Sequence, residues 1–215
     1  KGMYNVPTPD GARSRDPLKF QKDAAILEVA MKEDPNNHRY QFYLAQSYKD
    51  GKEFDKAIEN YEKRIAMGGW NQEVYWSMLQ IAMIKEWQQK PSEEIINAYI
   101  RAYTYRPSRV EPLFYIGTLH RRNDSYEKAY QTLTSAKKLP PSMDNLFIQQ
   151  WIYDYGLPFE LSLAAYWTGH YEECLIACNA LLKNPLVPED YRQSVLLNRD
   201  YARNKLKLYR SVGET

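Results

Sequence analysis

From Asp16 to Lys207 apolar residues recur three and four positions apart, in segments of roughly 14 residues parted by short polar turns. The turns fall at 33–37, 50–53, 68–71, 106–108 and 123–124. Asp16-Pro17 is a helix start, an N-cap followed by a proline in the first turn. Ser108 with Glu111 and Asp124 with Glu127 each have capping-box spacing. Proline at 140 and 141 stops one segment, and a further helix is predicted over 143–155 with a break at 156–158. The pattern predicts an all-α chain of about ten or eleven helices and no sheet.

Small and aromatic residues repeat within those segments. The clearest copy is Leu113, Ile116, Gly117, His120, Tyr126, Ala129, Leu133, Ala136, Pro141. Its order and spacing resemble the tetratricopeptide signature, a unit of about 34 residues forming helix, turn and helix. A second copy is Leu44, Ala45, Tyr48, Phe54, Ala57, Tyr61, closed by Gly68-Gly69 instead of proline. A third has Tyr75, Met78, Leu79, Ala82, then Tyr99, Ala102 and Pro107, with a turn over 86–94 longer than the motif allows and so a splayed hairpin. The fourth is Leu161, Ser162, Ala165, Gly169, Tyr171, Cys174, Cys178 and Pro185. Residues 24–35 read as half of another repeat, and 188–207 as a single capping helix. The expected fold is a tetratricopeptide-like helical-hairpin solenoid, a right-handed superhelix. Residues 1–15 are expected to be a linker or junction, 16–209 the repeat domain and 210–215 a tail. Gly117 and Ala129 are expected to face each other inside one hairpin.

Composition changes this picture little. Hydrophobic residues make up 44% and charged residues 26%, ordinary for a globular chain. A net charge of +2 gives no pull toward nucleic acid. No apolar stretch reaches the roughly 20 residues that span a membrane. The start at Lys1, with no apolar signal core, reads as a piece cut from a longer protein. Two cysteines suggest a reducing compartment, and a cytoplasmic location is expected. Cys174 and Cys178 lie on one helical face, four residues apart, a poor geometry for a disulfide. With His170 they could make three metal ligands, but both occupy packing positions of the repeat, so no metal is expected.

Catalytic chemistry is sparse. There is no glycine-rich phosphate loop, no nucleophile elbow, no His-Glu-x-x-His and no Asp-x-Asp. The histidines, His38, His120 and His170, fall in separate repeats, and Glu93-Glu94 and Glu172-Glu173 suit helix first turns. No catalytic residue and no cofactor are expected. Binding is better supported. The first helix of each hairpin lines the concave face of such an array. Its residues would be Arg39, Phe42, Gln46 and Lys49, then Glu73, Trp76 and Gln80, then Phe114, Thr118, Arg121 and Arg122, then Tyr166 and Trp167. That lining is aromatic and locally basic, suited to an acidic peptide or a glycan. The competing expectation is that the rings pack between hairpins and the arginines pair with Glu73 and Glu111. A chaperone-binding clamp would need Lys and Asn where Phe42 and Gln46 stand.

Further residues carry a more specific likeness. Gly11-Ala12-Arg13-Ser14, Asp16-Pro17, Asp23, Arg39-Tyr40 and Phe42-Tyr43-Leu44-Ala45-Gln46-Ser47-Tyr48 form one string. Tyr61-Glu62-Lys63-Arg64, Gly68-Gly69-Trp70, Arg106-Pro107-Ser108-Arg109 and Ala165-Tyr166-Trp167-Thr168-Gly169 continue it. Over about residues 11–205 it resembles the helical region that follows the catalytic domain in certain family 2 glycosyltransferases. The resemblance implies an upstream GT-A domain that uses a nucleotide sugar and a divalent metal. This chain would be its non-catalytic accessory module, holding an acceptor, a partner protein or the catalytic domain itself. The alternatives are a free-standing adaptor binding a peptide in its concave groove, and an enzyme complete in this chain, which the missing chemistry disfavours.

Overall fold

The computed structural model describes residues 16–213, with side chains through Lys207. The expected linker over 1–15, with the Gly11-Ala12-Arg13-Ser14 string, lies outside the described residues. Ten α-helices and no strand occur among the described residues. The chain forms two compact units, Lys1–Lys90 and Pro91–Thr215.

In the first unit, α1 (Lys19–Glu33), α2 (His38–Asp50), α3 (Phe54–Ala66) and α4 (Asn71–Trp87) pack each against the next. The signature residues form the core: Leu44, Ala45, Tyr48, Ala57 and Tyr61 are buried with Ala24, Phe42, Ile81 and Ile84. Ala45 and Ala57 are fully buried, and with only a methyl there the helices of the hairpin come close. Asn37 caps α2, its side chain accepting from the amides of Arg39 and Tyr40. Gly68 and Gly69 both have positive φ (66° and 80°), so the pair turns the chain where the motif would place proline. A Cβ on Gly69 would lie 2.7 Å from the His38 ring.

In the second unit the order is α5 (Ser92–Tyr105), α6 (Glu111–Arg122), α7 (Tyr126–Lys137), a π-helical turn (Ile152–Gly156), α8 (Leu157–Trp167), α9 (Tyr171–Lys183) and α10 (Glu189–Gly213). Each α-helix again packs on the next. One core joins α6, α7 and α8 through Phe114, Ala129, Leu133, Ala136, Ile152 and Leu161. A second joins α8, α9 and α10 through Ala165, Cys174, Cys178, Leu181, Val195 and Ala202. The two cysteines are buried free thiols, which places them in the core as the repeat requires.

Several local expectations need correction. Residues 138–149 hold no regular helix, so the helix expected over 143–155 begins only at Gln150. It then runs through the π-turn into α8 without the break expected at 156–158. Arg109 binds the carbonyls of Leu146 and Phe147 in this segment (3.2 and 3.1 Å), and Phe147 has a left-handed backbone (φ 44°) that a right-handed helix does not contain. The turn after α4 spans only residues 88–91, shorter than expected, because α4 extends to Trp87. Neither expected capping box forms. Glu111 binds Arg109, and Asp124 accepts from the Tyr126 hydroxyl.

The residue closest to Gly117 is Leu133, one turn beyond the expected Ala129, and a Cβ on Gly117 would sit 2.5 Å from the Leu133 Cγ. Leu133 is itself fully buried and cannot yield. Gly117→Val is therefore expected to cost about 1–3 kcal/mol through overpacking. Thermal unfolding checks this: a variant melting at or above the parent would refute the α6–α7 contact.

Candidate functional site

In the first unit the sequence-selected residues fall on α2 and α4, and they separate into buried and surface groups. Phe42 is 1% exposed and packs edge-on to Tyr61 at 6.4 Å. It is a core residue and not a ligand-facing one, because it points into the α2–α3 interface. Trp76 is half-buried against the same core, and Gln80 is buried. Gln46 and Lys49 are half-buried and join a polar chain. The Tyr61 hydroxyl donates to Gln46 Oε1 (2.9 Å), and Lys49 donates to Gln46 (3.2 Å) and to Gln80 (3.1 Å) while pairing with Asp50.

Arg39 is the sequence-selected residue of this unit that reaches well into solvent, with 51% of its side chain exposed. Its guanidinium donates to Glu73 at 2.7 Å and lies 5.0 Å from the Tyr43 ring and 5.9 Å from the Trp70 ring. Glu73 is buried and is held from the other side by Arg64, which is fully buried. Arg64 donates twice to Glu73 (2.9 and 2.7 Å) and once to the Gly68 carbonyl (2.6 Å). A buried carboxylate thus anchors a surface guanidinium between two exposed rings. Tyr43, Trp70 and Arg64 were not selected from the sequence. The signal for Arg64 was a charge at i+3 from the buried Tyr61, on the apolar stripe of α3.

In the second unit Phe114 is 4% exposed and packs perpendicular to Trp151 at 5.3 Å, so it too is a core residue. Thr118 is buried and returns its hydroxyl to the Phe114 carbonyl. Arg121 is paired with Glu160 of α8, and this bond raises its pKa. The partner expected for it, Glu111, is taken by Arg109. Arg122 is exposed. Tyr166 packs among Trp167, Tyr171 and Tyr201, while Trp167 stands exposed at the end of α8. Arg39, Lys49 and Arg121 each have a carboxylate partner, and for Arg39 it is Glu73, one of the two carboxylates that the competing expectation named.

A second buried arginine organises this unit. Arg109 is fully buried, donating to Glu111 (2.6 Å) and Asp144 (3.2 Å) besides the two carbonyls. Arg106 also binds Asp144. Tyr153 donates to Glu111 at 3.1 Å, and burial first, then the Glu111 charge, pushes its pKa up to about 12. No group of three or more potential metal ligands occurs among the described residues. No described helix is long and apolar enough to cross a membrane.

No family model and no curated protein matches the chain. Solved structures do match in fold. BtubC from P. vanneervenii superposes with a TM-score of 0.62 at 12% identity, over 92% of this chain and 85% of that one. A tetratricopeptide repeat protein from Parabacteroides merdae gives 0.58 at 16% identity, over 88% and 68%. MamA gives 0.54 at 15%, over 96% and 99%. The fold class is therefore the tetratricopeptide-like helical-hairpin solenoid, and identities this low bear on the fold alone.

The Arg106 bond is the largest effect on Asp144 and holds its carboxyl below the usual range. A lowered folded-state pKa gives stability that is complete above the ordinary aspartate value and is lost as pH falls through the lowered one. The melting temperature is thus expected to drop on acidification below about pH 4. Asp144→Asn should make that drop shallower while lowering stability at neutral pH. Melting curves across pH 2–7 for parent and variant check this; identical slopes would contradict it.

Proposed function

We propose that this chain is a non-catalytic interaction module, and that its first unit binds a polypeptide partner through Arg39, Tyr43 and Trp70. The observation that carries the reading is the anchored guanidinium. Arg39 is fixed by Glu73 and flanked by two exposed rings, so little side-chain freedom remains to be lost on binding. Arginine, tyrosine and tryptophan are the residues that dominate protein interfaces. The remaining guanidinium N–H groups suit a carboxylate, and the rings suit an aromatic or aliphatic neighbour. One of the matching folds, YrrB, is described as a tetratricopeptide repeat protein with an unusual peptide-binding site, which is compatible with this use of the scaffold.

In its finer form the proposal makes this module the C-terminal accessory domain of a glycosyltransferase, its repeat domain running over 16–209 and its location cytoplasmic. The sequence strings that resemble those of family 2 enzymes support that form. The partner would then be an acceptor, another protein or the enzyme's own catalytic domain. A free-standing adaptor is the alternative. The reading frame upstream of Lys1 separates them: a GT-A domain with Asp-x-Asp is expected, and an initiator methionine directly before Lys1 would favour the adaptor.

The binding surface is tested with an array of acidic peptides containing Tyr or Phe. Arg39→Ala with Trp70→Ala should weaken the bound peptides at least about tenfold. Stability should change by no more than about 1 kcal/mol, since Glu73 keeps Arg64. Equal binding by parent and double variant would overturn the assignment.

A further inference from the structure

In each unit the second helix of a hairpin lies between two first helices. α3 packs on α2 and α4, α7 packs on α6 and α8, and the first helices touch each other, α2 with α4 and α6 with α8. By sequence and packing α1 is also the second half of a repeat, and it packs on α2. The first helix of that repeat is not among the described residues. On one side of α1, Leu18, Ile26 and Val29 stand 54%, 66% and 55% exposed. At i, i+8 and i+11 they share a helical face and run about 16 Å along it. The outer face of a repeat array is ordinarily polar. This one is apolar.

Between α1 and α2 lies a crevice of about 340 Å³, lined by Asp23, Ile26, Leu27, Tyr40, Tyr43 and Ser47. Tyr40, Tyr43 and Ser47 sit on one flank of α2, whereas Lys49 reaches Gln80 of α4 on the other. Tyr43 belongs to two surfaces, since it lines the crevice and lies 5.0 Å from the Arg39 guanidinium. The buried Phe42 backs its ring edge-on at 5.7 Å. Charge along the α1 stripe is mixed. Lys22 pairs with Asp16, Glu28 accepts from the Tyr48 hydroxyl, and Asp23, Lys32 and Glu33 lie beside the apolar residues. Any preference for an acidic residue therefore comes from Arg39. The walls of α1 and α2 repeat the seat that α4 occupies on α2 and α3, and α8 on α6 and α7. Such a seat takes a helix laid with its apolar face inward.

We propose that the partner of the first unit binds as an amphipathic helix in the α1–α2 groove, where the half-repeat calls for a first helix. Its apolar residues at i, i+3, i+4 and i+7 meet Ile26, Val29, Tyr40 and Tyr43, and an acidic residue reaches Arg39. The inference deepens the polypeptide reading and rests on it.

The test uses the whole chain and a displayed library of helix-forming peptides of about 15 residues. Apolar residues are fixed at i, i+3, i+4 and i+7, and one Glu is moved along the edge of the stripe. At least one peptide is expected to bind, gaining helical circular dichroism as it does. Ile26→Ser/Val29→Ser, both at exposed positions, should weaken it about tenfold or more, and so should Arg39→Ala/Trp70→Ala. Ile26→Leu/Val29→Ile keeps the apolar surface and should retain binding, which covers misfolding of the serine pair. A central proline in the peptide should abolish binding. Acidic peptides that depend on Arg39 and Trp70, but are indifferent to the serine pair and to the proline, would overturn the helix groove and leave the polypeptide reading standing. Helices lost only with the serine pair would support the groove and overturn the Arg39 reading. A library with no binder would overturn the proposal. So would self-association of the parent that the serine pair removes, since the occupant would then be a second copy.

Discussion

A guanidinium with no access to water must be neutralised where it lies, and this requirement organises both units. Arg64 and Arg109 are fully buried. Leaving either without its carboxylate would strand a charge in a medium that solvates it poorly. Glu73 answers Arg64, while Glu111 and Asp144 answer Arg109. Glu73 lies on a different helix from Arg64, and Asp144 lies 35 residues along the chain from Arg109, whereas Glu111 is only two residues from it. The ion pairs therefore fix how neighbouring elements meet, a specificity that apolar packing alone leaves looser. Arg64 ties α3 to α4, and Arg109 ties the start of α6 to the irregular segment before the π-turn.

The same pairs decide what reaches the surface. Glu73 offers one oxygen inward to Arg64 and the other outward to Arg39. The position of the exposed guanidinium is thus inherited from a buried residue. In the second unit Arg109 draws residues 144–147 onto α6, and Trp151 then packs on Phe114. Aromatic contacts do the remaining work of joining successive helices, from Tyr99 stacked on Tyr115 to Tyr166 among Tyr171 and Tyr201.

The repeat was legible because its evidence is local. Small residues such as Ala45, Ala57, Gly117 and Ala129 record where two helices must touch, and these positions are buried in the structure, although Gly117 meets Leu133 and not the expected Ala129. The segment over 138–149 was not legible, because the arginine that binds it lies some 35 residues earlier in sequence. Site residues were harder still. Phe42 and Phe114 share a helical face with Arg39 and Arg121, yet a ring at such a position either fills the hairpin interface or faces a ligand, and periodicity does not distinguish the two. Among the described residues, the arginines of the resembling strings, Arg39, Arg64, Arg106 and Arg109, all belong to the ion-pair architecture. Their pattern describes this fold before it describes any ligand.

The claim that a buried ion pair sets the α3–α4 geometry, and through it the surface position of Arg39, is tested most directly by a double-mutant cycle. Arg64→Met and Glu73→Leu are measured singly and together by denaturant unfolding. Glu73→Leu is expected to lose about 3–5 kcal/mol, because it strands the buried Arg64 charge, and Arg64→Met somewhat less, because Glu73 keeps Arg39. The double variant should lose much less than their sum, leaving a coupling of about 2 kcal/mol or more. Additive losses, or single losses below about 1 kcal/mol as for a surface pair, would contradict the account.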